Sequence, residues 1–458
     1  MIPSPLQSLV DHLIQAGITP IFVGGYVRDS LLDLQSYDID IELYGIHSSQ
    51  KLIPLLKPFG KVYEVGKSYG VAKLKYNGFS IDFSLPRTET KTSLGHRGFE
   101  VQTHSELDFT TAARRRDFTI NAIGYNPITD TMLDPYGGEA DLASKTLRCV
   151  DPDTFIEDPL RVLRAVQFAA RFDLVCDPAL LTLCQNMIAQ GALEELPKAR
   201  IFEEIKKLLL LAPKPSIGFE LLREMGGLTF FKELSPLEST PQDPLSHPEG
   251  SVWTHTMMAL DVMATNRSGD KKRDLIHRFA ILLHDSGKPY TTITCDGILN
   301  APKHAHAGVE IARIFLERIT DEKELIVRVL PLVYYHGFVR KLFKIKADDG
   351  AIRHLSTHII IDDLIHIARA DFFGREFHGE KPKQYEAGEW LYERANELRV
   401  LTAPPPHLLM GRDLISMGLK PSKHFHTIIS TAYNAQLDGL FFTKSDAILW
   451  VKNYLNVE

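Results

Sequence analysis

Asp38, Asp40 and Glu42 stand at alternate positions in "YDIDIELYG", separated by Ile39, Ile41 and Leu43. With a side-chain period of two, the apolar residues face a core and the acids share the opposite face. A half-exposed strand with a solvated acidic face reads this way. So does a platform for a hard divalent cation such as Mg²⁺, which takes oxygen ligands, and two such ions can align an attacking hydroxyl with a nucleotide α-phosphate. Upstream, "FVGG" closes an apolar run at Gly24 and Gly25, and Val27, Leu31 and Leu34 follow at i, i+4 and i+7. The spacing predicts a strand, a glycine pair, a helix and then the acidic strand. Glycines at such a junction let backbone N–H groups approach a phosphate. Asp82, between Ile81 and Phe83 in "SIDFS", adds a third carboxylate on the polar face of another strand. Asp38, Asp40 and Asp82 are therefore the candidate catalytic acids, with Mg²⁺ on Asp38 and Asp40. Glu42 reads as the solvated end of its strand.

The elements that must hold these residues change character along the chain. Residues 1 to about 140 mix short β-branched runs ("TPIFV", "YDIDIELYG", "GVAKLKY", "FSIDFSL") with turns, an α+β pattern. Ahead of them Leu6, Leu9, Val10, Leu13 and Ile14 predict a short amphipathic helix. From about 150 the spacing is helical, and Pro-rich stretches at 234–250 and 401–409 mark breaks. At 458 residues the chain is expected to form several domains: 1–140, 141–235, 236–385 and 386–458. No apolar run reaches the roughly 18 residues of a membrane span, and no basic-then-apolar leader opens the chain, so a cytoplasmic protein without a membrane partner is expected. Four scattered cysteines form no C-x-x-C, which fits a reducing compartment. A net charge of −6 leaves any polyanion to local basic patches. No pattern in the chain specifies an oligomeric state.

The glycine pair, the h-D-h-[DE]-h strand and the later acidic strand resemble nucleotidyltransferases of the polymerase-β type. Further motifs, in order, narrow the likeness: "GGYVRD" (24–29) with "DID" (38–40), "RRRDFTINAIGYN" (114–126), "DPYGGEADL" (134–142), "EDPLRVLRAVQFAARF" (157–172) and "ELPKARIFEEI" (195–205). Together they cover roughly residues 20–210, and the sequence resembles class II tRNA nucleotidyltransferases, the CCA-adding enzymes, with their relatives the bacterial poly(A) polymerases. The resemblance implies nucleotide contacts from Gly24, Gly25, Arg28, Arg115, Arg116, Asp117, Asn121, Asp158, Arg161 and Arg164. Cationic forks grip a triphosphate bidentately. Asp158 and Arg161, three apart on one helical face with Arg164 continuing the stripe, would pair with the edge of cytosine or adenine and so select CTP and ATP without a template. Asp158 before Pro159 also reads as a helix cap. Gln167 stands where the family commonly has arginine. The polar segment 84–101 fits the family's loop that helps the switch from C to A addition.

The second half is histidine-rich; the chain has 18 in all. His255 closes "SVWTH", His284 and Asp285 adjoin in "FAILLHDSGKP", His304 and His306 lie in "PKHAHAGVE", His336 ends "LVYYH", and Asp371 sits in "IARADFFGRE". This H…HD…D order resembles the HD superfamily of metal-dependent phosphohydrolases, and "QDPLSHPEGSVWTHT" resembles the linker into the HD domain that many bacterial CCA-adding enzymes carry. The resemblance implies a metal on His255, His284, Asp285 and Asp371. His306 and His336 would serve a second metal or the phosphate, and Lys288 a phosphate oxygen. Imidazole with carboxylate suits Mn, Fe, Ni or Co. Basic residues for RNA are Lys198, Arg200, Lys206 and Lys207, then Arg340, Lys341, Lys344 and Lys346.

The expected fold is multidomain: an N-terminal α+β nucleotidyltransferase head of polymerase-β type, an all-α neck and body, and an all-α HD domain. The expected function is template-independent addition of CCA to tRNA from CTP and ATP, with HD hydrolysis of 2′,3′-cyclic phosphates and 2′-phosphates. The alternatives are a poly(A) polymerase, an enzyme adding only CC or only A, and an RNA-binding HD hydrolase with an inactive transferase.

Overall fold

The computed structural model describes residues 2–46, 49–65, 71–91, 99–103, 107–380 and 382–456. The chain divides into two compact units. The first comprises 1–212 with 217–230, and the second 213–216 with 231–458.

The first unit is built on a seven-stranded mixed sheet. In chain order its strands are β1 (Thr19–Val23), β2 (Asp38–Tyr44), β3 (Val62–Val65), β4 (Val71–Tyr76), β5 (Phe79–Ser84), β6 (Gly124–Asn126) and β7 (Thr131–Leu133), arranged β3-β4-β5-β2-β1-β6-β7. The central strands β1 and β2 run antiparallel, and β2 runs parallel to β5 with Asp40 opposite Asp82. Phe22, Ile39, Ile41, Ile81 and Phe83 are buried and pair across β1, β2 and β5, so they share the sheet's core face, while Ile21, opposite Glu42, is buried on the other face. The N-terminal helix α1 (Gln7–Gln15) buries Leu6, Leu9, Val10 and Leu13, the stripe its spacing predicts. Helix α2 (Gly25–Leu31) is shorter than expected. Leu34 lies beyond it and is exposed, because Asp33 takes a positive φ and ends the turn. Part of segment 84–101 forms a strand: Arg87–Lys91 pairs antiparallel with Phe99–Thr103. Residues 92–98 lie outside the described residues.

Behind the sheet, helix α3 (Leu160–Phe172) follows Pro159, and the left-handed Asp173 ends it. Leu160, Leu163, Val166 and Ala170 are buried, but so are Val162, Ala165, Gln167, Phe168 and Ala169, so burial runs round most of the helix. Helix α4 (Lys198–Leu211) packs against α3 and buries Ile201, Ile205 and Leu208.

The second unit is helical apart from a small hairpin, Ile293–Cys295 with Ile298–Asn300. Its core is α6 (Lys271–Leu283), in which every residue from Asp274 to Leu283 is buried. Around it pack α5 (Val252–Thr265), α8 (Lys323–Tyr335) and α9 (Ile361–Phe373), while α7 (His304–Ile319) lies against α8. Each large apolar side chain fully buried there contributes about 1.5–3 kcal/mol, which offsets the cost of the polar groups α6 carries at its end. Residues 409–451 form a separate small core around Leu414, Ile428, Ala432 and Val451.

Two glycines fix the helix spacing. A methyl group on Gly374, just after α9, would lie 2.3 Å from Ala259 Cα on α5. One on Gly287, after α6, would lie 2.1 Å from the His304 carbonyl oxygen and 2.5 Å from the Gly308 nitrogen at the start of α7. Gly374→Ala is expected to cost about 1–3 kcal/mol by forcing α5 and α9 apart. Urea denaturation of the variant against the parent checks this.

Candidate functional site

In the first unit the sheet register brings the three predicted acids together. Asp38 and Asp40 project from β2 and are exposed, and Asp82 stands opposite Asp40 on β5. Lys73 Nζ lies 2.5 Å from Asp82 Oδ2, while Asp82 Oδ1 is buried with no hydrogen-bond partner among the described residues. Desolvation raises the Asp40 pKa, and Asp82 and Asp38 push it the same way against Arg116 and Lys73. Crowded carboxylates of this kind, one with an oxygen left unpaired, fit a hard cation with oxygen ligands.

Gly24 closes the other side. It has φ 69°, and a methyl group there would sit 3.0 Å from Arg116 Nη1 and 3.6 Å from Asp40 Oδ2. Only glycine keeps both that conformation and the space between guanidinium and carboxylate. Arg116 is itself held by the Asn121 carbonyl at 3.3 Å, and its Nε is buried without a partner among the described residues. Burial lowers the Arg116 pKa, against Glu42 and Asp40.

Glu42 is not the solvated end of its strand. It is fully buried, accepts from Arg115 Nη2 at 3.0 Å and from the Tyr44 hydroxyl at 3.0 Å, and so breaks the in–out alternation of β2. Arg115 thus reaches the sheet through Glu42. Arg28 and Asn121 also depart from the expected nucleotide contact. Arg28 is 4% exposed, its guanidinium donates to Asp29 and to Asn121 Oδ1, and it lies 4.5 Å over the Phe172 ring. Asn121 in turn donates from Nδ2 to Asp117 Oδ1 at 2.9 Å. Asp117 Oδ2 accepts from Arg164 of α3 at 2.6 Å. Burial would raise the Asp117 pKa, but Arg164 and Asn121 hold it below the ordinary carboxylate value. Arg28, Asn121 and Asp117 therefore form a buried frame behind the acids.

The side chains of Asp158 and Arg161 reach different partners. Asp158 Oδ1 accepts from the Leu160 amide at 3.1 Å, the cap its position before Pro159 predicts. Its side chain also holds Arg200 of α4, with Nη2 to Oδ2 at 2.9 Å. Arg161 donates to the carbonyls of Thr154 and Arg115, both at 2.6 Å. Arg200, read from sequence only as an RNA-facing cation, is the residue missed here. Its neighbours Lys206 and Lys207 pair with Glu203 and Glu204. Gln167 is buried, and its Nε2 has no partner among the described residues.

In the second unit His255 on α5, His284 and Asp285 after α6, and Asp371 on α9 converge. His255 Nε2 is 3.1 Å from Asp371 Oδ1 and 3.3 Å from His284 Nε2, and His284 Nε2 is 3.1 Å from Asp285 Oδ2. A second group shares Asp285: its Oδ1 lies 3.5 Å from His304 Nε2 and 3.7 Å from His336 Nε2. The histidine beside His336 is thus His304 and not the expected His306, which is exposed with its ring 6.4 Å from that of Tyr334. Positions two apart at a helix start point to opposite sides, and Gly287 lets the His304 turn come against Asp285. The inward nitrogens are oriented from behind. Nδ1 of His284, His304 and His336 lies 2.7–2.8 Å from the carbonyls of Ile281, Ala301 and Val333. His255 Nδ1 lies 2.9 Å from buried Glu249, which the sequence reading did not single out. Backing of this kind, which leaves each Nε2 facing inward, fits metal ligation. Lys288 Nζ, 2.6 Å from Asp285 and 2.7 Å from Gln242, brings a cation to the centre.

Residues 21–148 match the Poly A polymerase head domain, and residues 177–237 match the family described as the probable RNA and SrmB-binding site of polymerase A. The Multifunctional CCA protein of Halorhodospira halophila is 31% identical over 409 residues, covering 87% of this chain and 91% of the relative. The chain belongs to the class II CCA-adding enzyme family. Another family member, the Multifunctional CCA protein of Dechloromonas aromatica, is 32% identical over 376 residues, covering 81% of this chain and 86% of its own. The fold is shared with the CCA-adding enzyme of Bacillus stearothermophilus solved with CTP (TM-score 0.66, 20% identity, 100% of this chain and 99% of that one). It is also shared with that of Thermotoga maritima solved with tRNA (0.59, 19%, 98% and 94%). No helix among the described residues is long and apolar enough to cross a membrane.

The second unit carries a pH prediction. Burial lowers the His255 pKa, but the hydrogen bond to Asp371 and the Glu249 carboxylate beside Nδ1 outweigh it and lift the value to about 9. Burial together with His284 lowers His336 to about 4. At pH 7 the metal-free protein therefore holds a proton on His255 and none on His336. A metal ion held at His255 would have to displace that proton, so its affinity is expected to rise about tenfold per pH unit toward pH 9 and then level. Calorimetry with Mn²⁺ in buffers of different ionisation enthalpy is expected to show close to one proton released per ion at pH 7. No proton release would contradict the assignment.

Proposed function

We propose that the first unit adds C, C and A to the 3′ end of tRNA from CTP and ATP without a template, and that the second unit is an HD phosphohydrolase acting on phosphate esters of RNA ends. The observation that carries the first reading is the register of Asp40 against Asp82, with Asp38 two residues before, beside Gly24, where a methyl group would meet Arg116 and Asp40. The relatives named above carry CCA in their names, and the two solved neighbours are named CCA-adding enzymes. The four divisions read from sequence, at 1–140, 141–235, 236–385 and 386–458, remain the proposed domains, in a cytoplasmic protein.

Asp38 and Asp40 would hold Mg²⁺. When bound, it lowers the pKa of the attacking hydroxyl and steadies the departing pyrophosphate. The chain's own groups do the rest. Gly24 and Gly25 leave room for the triphosphate, and Arg116 and Arg115 offset its charge, the latter aimed by Glu42. The RNA 3′ oxygen joins the α-phosphorus as the α–β anhydride bond breaks and pyrophosphate leaves with the electron pair. Asp82 takes the hydroxyl proton. Asp158, Arg161 and Arg164 read the base edge, with Arg200 holding Asp158 until a base replaces it. Arg28, Asp117 and Asn121 keep these groups in place. A poly(A) polymerase is the second reading, favoured by the description of the matching head domain. An inactive transferase is disfavoured by the intact acid cluster.

In the HD unit His255, His284, Asp285 and Asp371 would hold one ion and Asp285, His304 and His336 a second, of Mn, Fe, Ni or Co. Bound there, the ions would supply Lewis acidity and lower the pKa of the attacking water. Lys288 neutralises a phosphate oxygen. Water's oxygen joins phosphorus, the bond to the ribose 2′ or 3′ oxygen breaks, and that oxygen gains the proton.

Asp38→Ala is expected to abolish CTP incorporation, by a factor of at least about 10³, while tRNA binding in a filter assay survives. His284→Ala and Asp285→Ala are expected to abolish metal-dependent hydrolysis of 2′,3′-cyclic AMP and leave CTP incorporation intact. An active Asp38→Ala enzyme, or hydrolysis that survives both histidine-centre changes, contradicts the corresponding half.

A further inference from the structure

Two cavities in the second unit meet at Ser246 and Arg340. The first, about 430 Å³, is lined by Lys288 and His304 and so opens onto the histidine–aspartate centre. The second, about 550 Å³, has aromatic walls from Phe343, Phe372, Phe377 and Tyr385. Phe372 directly follows Asp371. Its ring stacks on Tyr385 at 4.7 Å and 26° and meets Phe377 at 5.5 Å, and the Arg375 guanidinium lies 4.7 Å over it. The wall is tied to the metal centre by one buried carboxylate. Glu249 Oε2 accepts from the Glu376 amide at 3.2 Å, while its Oε1 lies 2.9 Å from His255 Nδ1.

A hydrolase of simple phosphate esters needs the first cavity alone. The second adds flat aromatic faces backed by guanidinium, which hold a π-ring whatever its sequence. It also presents carboxylates, Glu376 and Glu386, among its lining residues. A carboxylate accepts from the exocyclic amine of cytosine or adenine and finds no such donor on uracil. Arg340, shared by both cavities, is placed for the phosphate between ring and centre. A volume of this size suits one nucleoside.

We propose that the second cavity is a nucleobase subsite of the hydrolase. It stacks the base of a terminal nucleotide, adenine or cytosine in preference to uracil, with that nucleotide's phosphate at Lys288 and Arg340. The proposal rests on the phosphohydrolase reading of the centre, and its test separates the two.

The Mn²⁺-loaded full chain is assayed on 2′,3′-cyclic AMP, CMP and UMP and on glycerol 1,2-cyclic phosphate, which has the same five-membered ring and no base. Phe377→Ala and Phe343→Ala are expected to raise KM for cyclic AMP and CMP about tenfold or more, with kcat unchanged. Turnover of the glycerol ester, which also reports folding, stays at the parent level. In the metal-free chain, 8-azidoadenosine 2′,3′-cyclic phosphate is expected to label residues within 343–387, and Phe377→Ala to reduce that labelling. Competition by cyclic AMP and by an RNA ending in a 2′,3′-cyclic phosphate tells whether the base belongs to a free nucleotide or an RNA end, and either supports the subsite. Equal loss on glycerol and nucleotide esters, or labelling unaffected by Phe377→Ala, overturns it. Labelling at 343–387 without turnover of any ester sinks the hydrolase reading and upholds the base subsite.

Discussion

The carboxylate of Asp117 is the point at which Asn121 and the helix α3 are joined. One oxygen accepts from Asn121, which is fixed in turn by Arg28, and the other accepts from Arg164 on α3. Burying an isolated charge costs several kcal/mol, but here each charge has a partner, and removing one would strand the other. The frame is therefore all-or-none. It sets the distance from the acids of β2 and β5 to the side chains of α3, and in the proposed function that distance would decide whether one nucleotide meets both. Glu42 repeats the device at smaller scale by tying Arg115 to the strand that carries Asp38 and Asp40.

The second unit uses one aspartate in a comparable way. Asp285 faces His284 and Lys288 on one side and His304 and His336 on the other. Its pKa lies well below the ordinary value although burial opposes this, because these cations and imidazoles surround it. The backbone makes the arrangement possible: Gly287 and Gly308 let the end of α6 and the start of α7 touch, and Gly374 does the same for α5 and α9. In both units glycine at a helix contact matters through what a side chain there would displace.

What was legible in the sequence was local. Alternation placed Asp38, Asp40 and Asp82 on strands, and the paired register then brought them together without any further signal. The four β-branched runs are strands, and the apolar stripe of α3 is buried. What was not legible depended on partners distant in sequence. Period two sends Glu42 outward, but Arg115, 73 residues on, draws it in. Asp158 meets Arg200, 42 residues away. Arg28 and Asn121 carry chemistry-bearing side chains that the fold spends on its frame. The choice of His304 over His306 turned on where α7 begins, and a Gly–Gly contact fixes that.

The claim on which the rest hangs is that these residues select C and A in turn. Purified protein with a tRNA lacking its last three nucleotides, given each NTP singly and then CTP with ATP, tests it most directly. The account predicts two C additions with CTP alone, no extended tract with ATP alone, and a completed CCA end with both. Long A tracts from ATP alone would contradict it.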